Sequence, residues 1–423
     1  MPVQSSGLKI LGVRIGGMRY PNERTERNRG GSTMFVLDSQ YTSNELLDFL
    51  ESSHEPVLDN DAAKMWARKR TLNLAADLKP GERIITTSEM HLDQVKEICA
   101  PETSRAIDLC KDKAAMRAAL KPLYPDYTFF SCTARELREL DPKAISYPVV
   151  VKPVTGFFSL GIYPVFNESE WHEAVADIAE HSHEWQSGYN ENVVNDNAFL
   201  VESYIEGDEY ALDAYYDDAG APVMLNIFAH EFADREDTSD RLYYCSKRVM
   251  DAQFDRMEAF LREVNALLGF RGFPIHVEVR VTSSGRVIPI EFNPLRFAGL
   301  CNTDLSWFAW GHKTYECFLR DTRPDWPRVL AAKDGIAYAM IILQKDGFDP
   351  TRPYTFDYDA ACKTLSHVLD LRVLDYATQG AFCFIFAEVP ENRWEEELAP
   401  LLRSTLDEFI AYPPERESDP RRR

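Results

Sequence analysis

What this sequence lacks removes many routes to function. It contains no CxxC pair, and its cysteines, at 99, 110, 132, 245, 301, 317, 362 and 383, have no histidine spacing suited to zinc. They read as reduced thiols of a cytoplasmic protein rather than as a disulfide framework. No apolar run approaches the roughly 18 residues a bilayer-spanning helix needs. The N-terminal segment MPVQSSGLKI has no basic region leading into an apolar stretch, so no export signal is expected. Positive charge is scarce: 47 Lys and Arg against 68 Asp and Glu leave a net charge of −21. Such a surface repels phosphate backbones, so neither a nucleic-acid nor a membrane partner is expected. There is no GK[ST] after a glycine-rich loop and no GxGxxG opening a helix, which removes the two commonest nucleotide-binding turns. No internal repeat or long linker interrupts the chain.

What is present is an ordinary globular composition, 45% hydrophobic and 27% charged, over 423 residues, enough for two or three domains with their own cores. Residues 8–100 alternate strand-like runs (LKILGVRI, STMFVLD, ERIITT) with helix-like ones (SNELLDFLES, DAAKMWARKRTLNLAADL, LDQVKEICA). That alternation predicts an N-terminal α/β domain over 1–105 with a mainly parallel sheet. From about 106 the pattern becomes α+β: a helix, YTFFS, the helix TARELREL, the apolar strand YPVVVKPV, then AFLVESYI, YALDAYYD, APVMLNIFAHE and a helix over 251–268. A small C-terminal α+β domain is expected over 325–423, built from IAYAMIILQ, RVLDYA, AFCFIFAEV and a helix WEEELAPLLRSTLDEFIAY, with a polar tail PPERESDPRRR that reads as disordered.

The most informative stretch is HVEVRVTSSGRVIPIEFN, residues 276–293. Alternating β-branched and polar residues on either side of Ser-Gly predict a β-hairpin with Ser284 and Gly285 as its two-residue loop. One face then pairs Val277 with Phe292, Val279 with Ile290 and Val281 with Ile288. The other pairs His276 with Asn293 and Glu278 with Glu291. Opposed carboxylates repel, so a hairpin that places them face to face needs a reason. An exposed polar hairpin face would explain the pattern equally well if it stood alone.

It does not stand alone. YPVVVKPV ends a buried strand on Lys152, directly before VTGFFSLGIYPV with Gly156, Ser159 and Gly161. A lysine there reaches phosphate oxygens while a glycine-containing loop lets backbone N–H groups approach them. DLCKDKAAMRAAL places Lys113 at a helix start upstream, and FLVESYIEGDEYALDAYYD ends a strand in ESYIEG before Glu209. In order and spacing, this array of Lys113, Lys152, ESYIEGDEY and the twin acids with Asn293 resembles the ATP-grasp superfamily over roughly 106–321, over half the chain.

The resemblance implies a pre-ATP-grasp domain (1–105), an ATP-grasp fold of two α+β subdomains (106–324) and MgATP as cofactor, with Mn²⁺ as a substitute. Lys113 and Lys152 would contact the phosphates, with Lys152 also near the adenine. Glu202 would accept the adenine amino proton, the backbone around Ser203 and Ile205 would read the ring edge, and Glu209 would hold the ribose. Gly156, Ser159 and Gly161 would form a mobile flap. Glu278, Glu291 and Asn293 would bind magnesium, and Arg296 would stabilise charge on the transferred phosphoryl group. The sequence departs from the usual pattern by Phe157 and Phe158 in the flap and by Leu295, which moves Arg296 one residue further from Asn293. The implied activity is an ADP-forming carboxylate-amine ligase acting on small molecules such as amino acids, as a monomer or homodimer. The alternatives are a carboxylate-thiol ligase, a carboxylase (disfavoured because no biotin-carrier AMKM segment is present) or a non-catalytic ATP-binding regulator. His230, His276 and Arg248 receive no role at this stage.

Overall fold

The structure, a computed structural model, describes residues 33–79, 81–154, 161–187, 198–235 and 237–413. The expected strand LKILGVRI, the flap residues Gly156 and Ser159 and the tail beyond 413 lie outside them. The described chain begins with a parallel four-stranded sheet in the order β3-β2-β1-β4, from β1 (Thr33–Val36), β2 (Pro56–Leu58), β3 (Asn73–Ala75) and β4 (Arg83–Thr86). Its helices are α1 (Asn44–Ser53), α2 (Asp61–Ala67) and α3 (Leu92–Ile98). Helix α1 starts at Ser43, whose hydroxyl accepts from the Leu46 N–H, and buries Leu46, Leu47, Phe49 and Leu50 on one face.

The helix expected over 61–78 is less than half that length. It ends at Ala67, and Asn73–Ala75 pair instead with β2. Arg70 is held by Asp48 and by Asn44, and the Thr71 N–H by Glu51. These ties to α1 turn the chain back, and strand pairing overrides local helix propensity. Strand β2 itself carries too short a run, PVL, to be read from periodicity.

Helices α4 (Pro101–Lys111) and α5 (Lys113–Ala119) lead to a second sheet, ordered β5-β8-β6-β7. Its strands are β5 (Phe129–Thr133), β6 (Val149–Pro153), β7 (Tyr163–Val165) and β8 (Ala198–Ser203), covered by α6 (Ala134–Glu139) and α7 (Glu168–Ser187). Thr133 and Glu136 form a reciprocal capping box at the start of α6. Trp171, Ile178, Val149, Val151 and Phe199 make this unit a small core of its own.

The third sheet has eight antiparallel strands ordered β13-β12-β9-β10-β11-β14-β17-β16. They are β9 (Asp208–Tyr216), β10 (Pro222–Glu231), β11 (Leu242–Ser246), β12 (Phe273–Val281), β13 (Val287–Pro294), β14 (Ile336–Leu343), β16 (Val368–Val373) and β17 (Cys383–Pro390). Helix α8 (Lys247–Leu268) packs on β10, and α9 (Leu305–Trp310) and α10 (Thr314–Arg320) follow the hairpin. The C-terminal strands therefore extend the sheet that carries the hairpin rather than forming a separate one. The helix expected over 394–412 is broken into single turns. Pro400 cannot donate inside a helix, Leu406 has φ +67°, and β18 (Ile410–Ala411) pairs with β15 (Thr355–Phe356).

The hairpin register holds near the acids and differs near the turn. Glu278 faces Glu291, His276 faces Asn293 and Val277 faces Phe292, as expected, but Val279 faces Pro289 and Val281 faces Val287. The loop has three residues, closed by a Thr282 N–H to Arg286 carbonyl bond and by Gly285 at φ +81°. A bulge beside Ile290 restores the register. The two one-residue irregularities cancel, which is why the two-residue loop read from sequence still gave the correct pairing of the acids.

Gly207 lies where β9 leaves ESYIEG and crosses the end of β12. Its φ is +154°, and a Cβ there would come within 2.2 Å of the Val281 carbonyl oxygen. Backbone cannot retreat as a flexible side chain can, so Gly207→Ala should cost roughly 1–3 kcal/mol of stability. Urea denaturation of the variant and the parent measures that difference, and equal midpoints would contradict it.

Candidate active site

The cleft lies between the second and third sheets, with α5 bridging them. Lys113 is the first residue of α5, whose N-cap Asp112 accepts from the Ala115 N–H. Four residues on, Arg117 projects from the same face. Arg117 is buried and donates through Nε to Glu202 Oε2 (2.6 Å) and through Nη2 to Glu202 Oε1 (3.1 Å). Its Nη1 donates to the Pro289 carbonyl (2.6 Å) and its Nη2 also to that of Ile290 (3.3 Å). One guanidinium thus joins β8 of the second sheet to the bulge in β13 of the third. The signal for it in the sequence is its spacing of four from Lys113, which puts both on one helix face.

Lys152, at the end of β6, reaches the same carboxylate, with Nζ 2.6 Å from Glu202 Oε1. Burial pulls the Lys152 ammonium below its ordinary range, with Arg117 and Lys113 adding to that and Glu202 opposing it. Burial would raise the Glu202 carboxyl, but Lys152 and Arg117 bring it down to about 2. Glu202, expected beside an adenine amino group, is here the counter-ion of two cations. Of the two residues expected to read a ring edge, Ser203 has both backbone groups engaged: its N–H on the Thr128 carbonyl and its carbonyl on the Tyr127 hydroxyl. The Ile205 carbonyl accepts from Arg280 Nη1 at 2.8 Å.

Glu209, on β9, is bonded by His230 Nδ1 (2.9 Å) and by Arg280 Nε (3.0 Å). His230 and Arg280 therefore orient the expected ribose-binding carboxylate. The other end of the cleft is built around the opposed acids. Lys113 Nζ lies 2.8 Å from Glu291 Oε1. Burial would raise the Glu291 carboxyl, but Lys113 and Lys111 bring it down to about 2. Glu278 differs. It faces Asn293 Nδ2 at 3.3 Å and His276 Nε2 at 3.8 Å, and burial together with Glu291 raises its carboxyl to about 8.

Two further residues, Glu89 from the N-terminal unit and Lys111 at the end of α4, complete this end, neither legible in sequence. Glu89, after β4, is buried and accepts from Lys111 Nζ through Oε2 and from Arg296 Nε through Oε1 (3.4 Å). Arg296 follows Leu295, which is at φ +58°. The extra residue noted in the sequence is thus absorbed by one left-handed turn, which brings Arg296 back toward the cleft. Of the three flap residues only Gly161, at φ +73°, is described. Arg248 pairs with Glu391 at 3.2 Å on the surface.

Residues 145–304 match the family model for the ATP-grasp domain. That segment has the ATP-grasp fold. Solved structures of this fold align over nearly the whole length of the chain. An L-amino acid ligase from Bacillus licheniformis covers 91% of the chain and 100% of its own length at 15% identity, with a TM-score of 0.66. An N5-carboxyaminoimidazole synthase from Aspergillus clavatus, in complex with ADP and 5-aminoimidazole ribonucleotide, covers 90% and 100% at 14% identity, TM-score 0.60. A biotin carboxylase from Campylobacter jejuni covers 85% and 88% at 11% identity, TM-score 0.55. At these identities the likeness is one of fold. None of the curated proteins matches the chain by sequence.

Among the described residues no group of three or more His, Cys, Asp or Glu side chains is arranged to hold a metal ion by itself. The ATP-grasp cleft nevertheless fits a hard divalent cation shared with a nucleotide, because such ions take one or two carboxylates and complete their shell with phosphate oxygens and water. Glu278, whose ionised form is disfavoured where it stands, is the group that gains most from a cation. No helix among the described residues is long and apolar enough to cross a membrane.

The raised Glu278 carboxyl gives a pH prediction. Its folded value, about 8, lies above its ordinary 4.5. The stability it contributes is thus fully present below about 4.5 and is lost as pH rises through 8. Without divalent cation, the parent should lose more stability than Glu278→Gln between pH 5 and 9. Thermal melts across that range test this, and parallel curves would contradict it.

Proposed function

We propose that the chain is an ADP-forming ligase that activates a small-molecule carboxylate as an acyl phosphate for attack by an amine. The observation that carries the reading is the opposed pair Glu278 and Glu291 among Lys111, Lys113, Lys152 and Arg296. Phosphoryl transfer asks little covalent chemistry of a protein and much placement of cations around developing negative charge. The fold shared with a ligase that joins amino acids supports this reading.

In it, Glu278, Glu291 and Asn293 would hold Mg²⁺, or Mn²⁺ in its place, which would supply positive charge to offset that of the triphosphate. Lys113 exchanges Glu291 for phosphate oxygens, and Lys152 stays beside Glu202 with its ammonium toward the phosphates. Glu202, Ser203 and Ile205 face the adenine side, and Glu209 the ribose. Arg296, oriented by Glu89, stabilises charge on the phosphoryl group as the substrate carboxylate attacks. Stabilisation is concentrated at the terminal phosphate, so ADP leaves and a mixed anhydride remains for the amine.

With MgATP, an amino-acid substrate and hydroxylamine, the enzyme should give a hydroxamate and ADP. Arg296→Ala should lower that rate by about a hundredfold, the usual loss when one charge-stabilising donor is removed. Glu291→Gln should abolish it while the fold is kept. AMP and pyrophosphate as products would refute the mechanism.

A further inference from the structure

A cavity of about 40 Å³ lies beside the cleft, between the ends of β1 and β4 and the loop that follows Arg296. Phe35, Ile85, Phe297 and Ala298 supply apolar wall, and Asp304 and Tyr315 supply polar groups. A water needs roughly 10–15 Å³ on this measure, so the space holds two or three heavy atoms at most. Its position ties it to the reacting centre by two chain segments. Phe297 and Ala298 directly follow Arg296, and Thr86 and Thr87, also in the wall, lead to Glu89, which pairs with Arg296. The wall is rigid. Asp213, fully buried on β9, accepts from the Ala298 N–H (2.7 Å), from Thr303 Oγ1 (2.7 Å) and from His276 Nδ1 (2.8 Å).

Two independent observations say what the cavity lacks. The Tyr315 side chain is 4% exposed, and its hydroxyl has no hydrogen-bond partner among the described residues. An unpartnered buried hydroxyl is costly unless a ligand completes it. Asp304, 3% exposed, shares a single guanidinium with two other acids: Arg372 donates to Asp304 (2.8 Å), Glu45 (2.9 Å) and Asp370 (2.8 Å). The nearby Lys313 ammonium donates to the Glu45 backbone carbonyl (3.0 Å). Burial raises the Glu45 carboxyl, with Arg372 opposing and Asp304 and Asp370 adding to the rise. The corner is short of positive charge and of donors.

We propose that this cavity is the subsite for the α-ammonium group of an amino-acid substrate whose carboxylate is activated at Arg296, with Tyr315 Oη and Asp304 as its acceptors. Only the identity of the ammonium rests on the ligase reading. Held as a cation, the nitrogen keeps its lone pair protonated and serves as an anchor rather than as the nucleophile, and the attacking amine comes from a second molecule.

The test is calorimetric titration of the MgADP-loaded protein with L-alanine and with propionate, which differ in the ammonium alone. The parent should bind L-alanine at least about tenfold more tightly, the value of a hydrogen-bonded charge. Tyr315→Phe keeps the ring and should reduce that preference severalfold, leave ADP affinity unchanged and melt at or above the parent's temperature. A parent without preference, or a Tyr315→Phe variant that keeps it in full, overturns the proposal. The hydroxamate assay reads the ligase reading separately: a preference for L-alanine without hydroxamate would leave the subsite standing and remove the ligase, and hydroxamate without the preference would do the reverse.

Discussion

The architecture of the cleft turns on a single guanidinium. Arg117 satisfies both oxygens of Glu202 on one sheet and two carbonyls of the β13 bulge on another. Carbonyls freed by a bulge and a carboxylate buried beside a lysine would each be expensive alone. Placed around one five-donor group, they satisfy each other. The same contact sets the distance between Lys152 and the acids of the hairpin, because β6 and β8 are neighbours and β13 carries Glu291. Removing one partner would leave charges buried without compensation, the costly way to break such a network.

The two acids that look equivalent in sequence are made unlike by their neighbours. Glu291 stands against Lys113 and close to Lys111, whereas Glu278 looks toward an amide and an imidazole. The pair therefore tolerates its closeness by differing in ionisation. Asp213 supports this from behind: it holds His276 on one side and the loop after Arg296 on the other. The opposed acids and the loop after Arg296 thus lean on one buried carboxylate in β9.

Much of this was readable from residues. The alternation of HVEVRV and VIPIEFN set the faces of the hairpin and brought the two acids opposite each other. The strands around Lys152 and ESYIEG were long and apolar enough to show. What was not readable depends on distance in sequence. Glu89 reaches Arg296 across 207 positions, and Arg117 reaches Pro289 across 172. No local pattern encodes such partners. The failures nearer to hand, at 61–78 and 394–412, arise where strand pairing or a proline outweighs helix propensity. The three-residue loop and the bulge escaped because their errors cancel.

The same bulge also governs what happens at the rim. β13 is one edge of the eight-stranded sheet, and a bulge sits beside Pro289, which has no N–H to offer a newcomer. The opposite edge, β16, is interrupted as well, between Val368 and Asp370. A sheet this wide presents two ladders of free backbone groups, the usual template for fibrous stacking. Here the kink that aims a carboxylate into the cleft also denies a second chain a straight edge to zip onto, so cleft geometry and resistance to aggregation are secured by one irregularity.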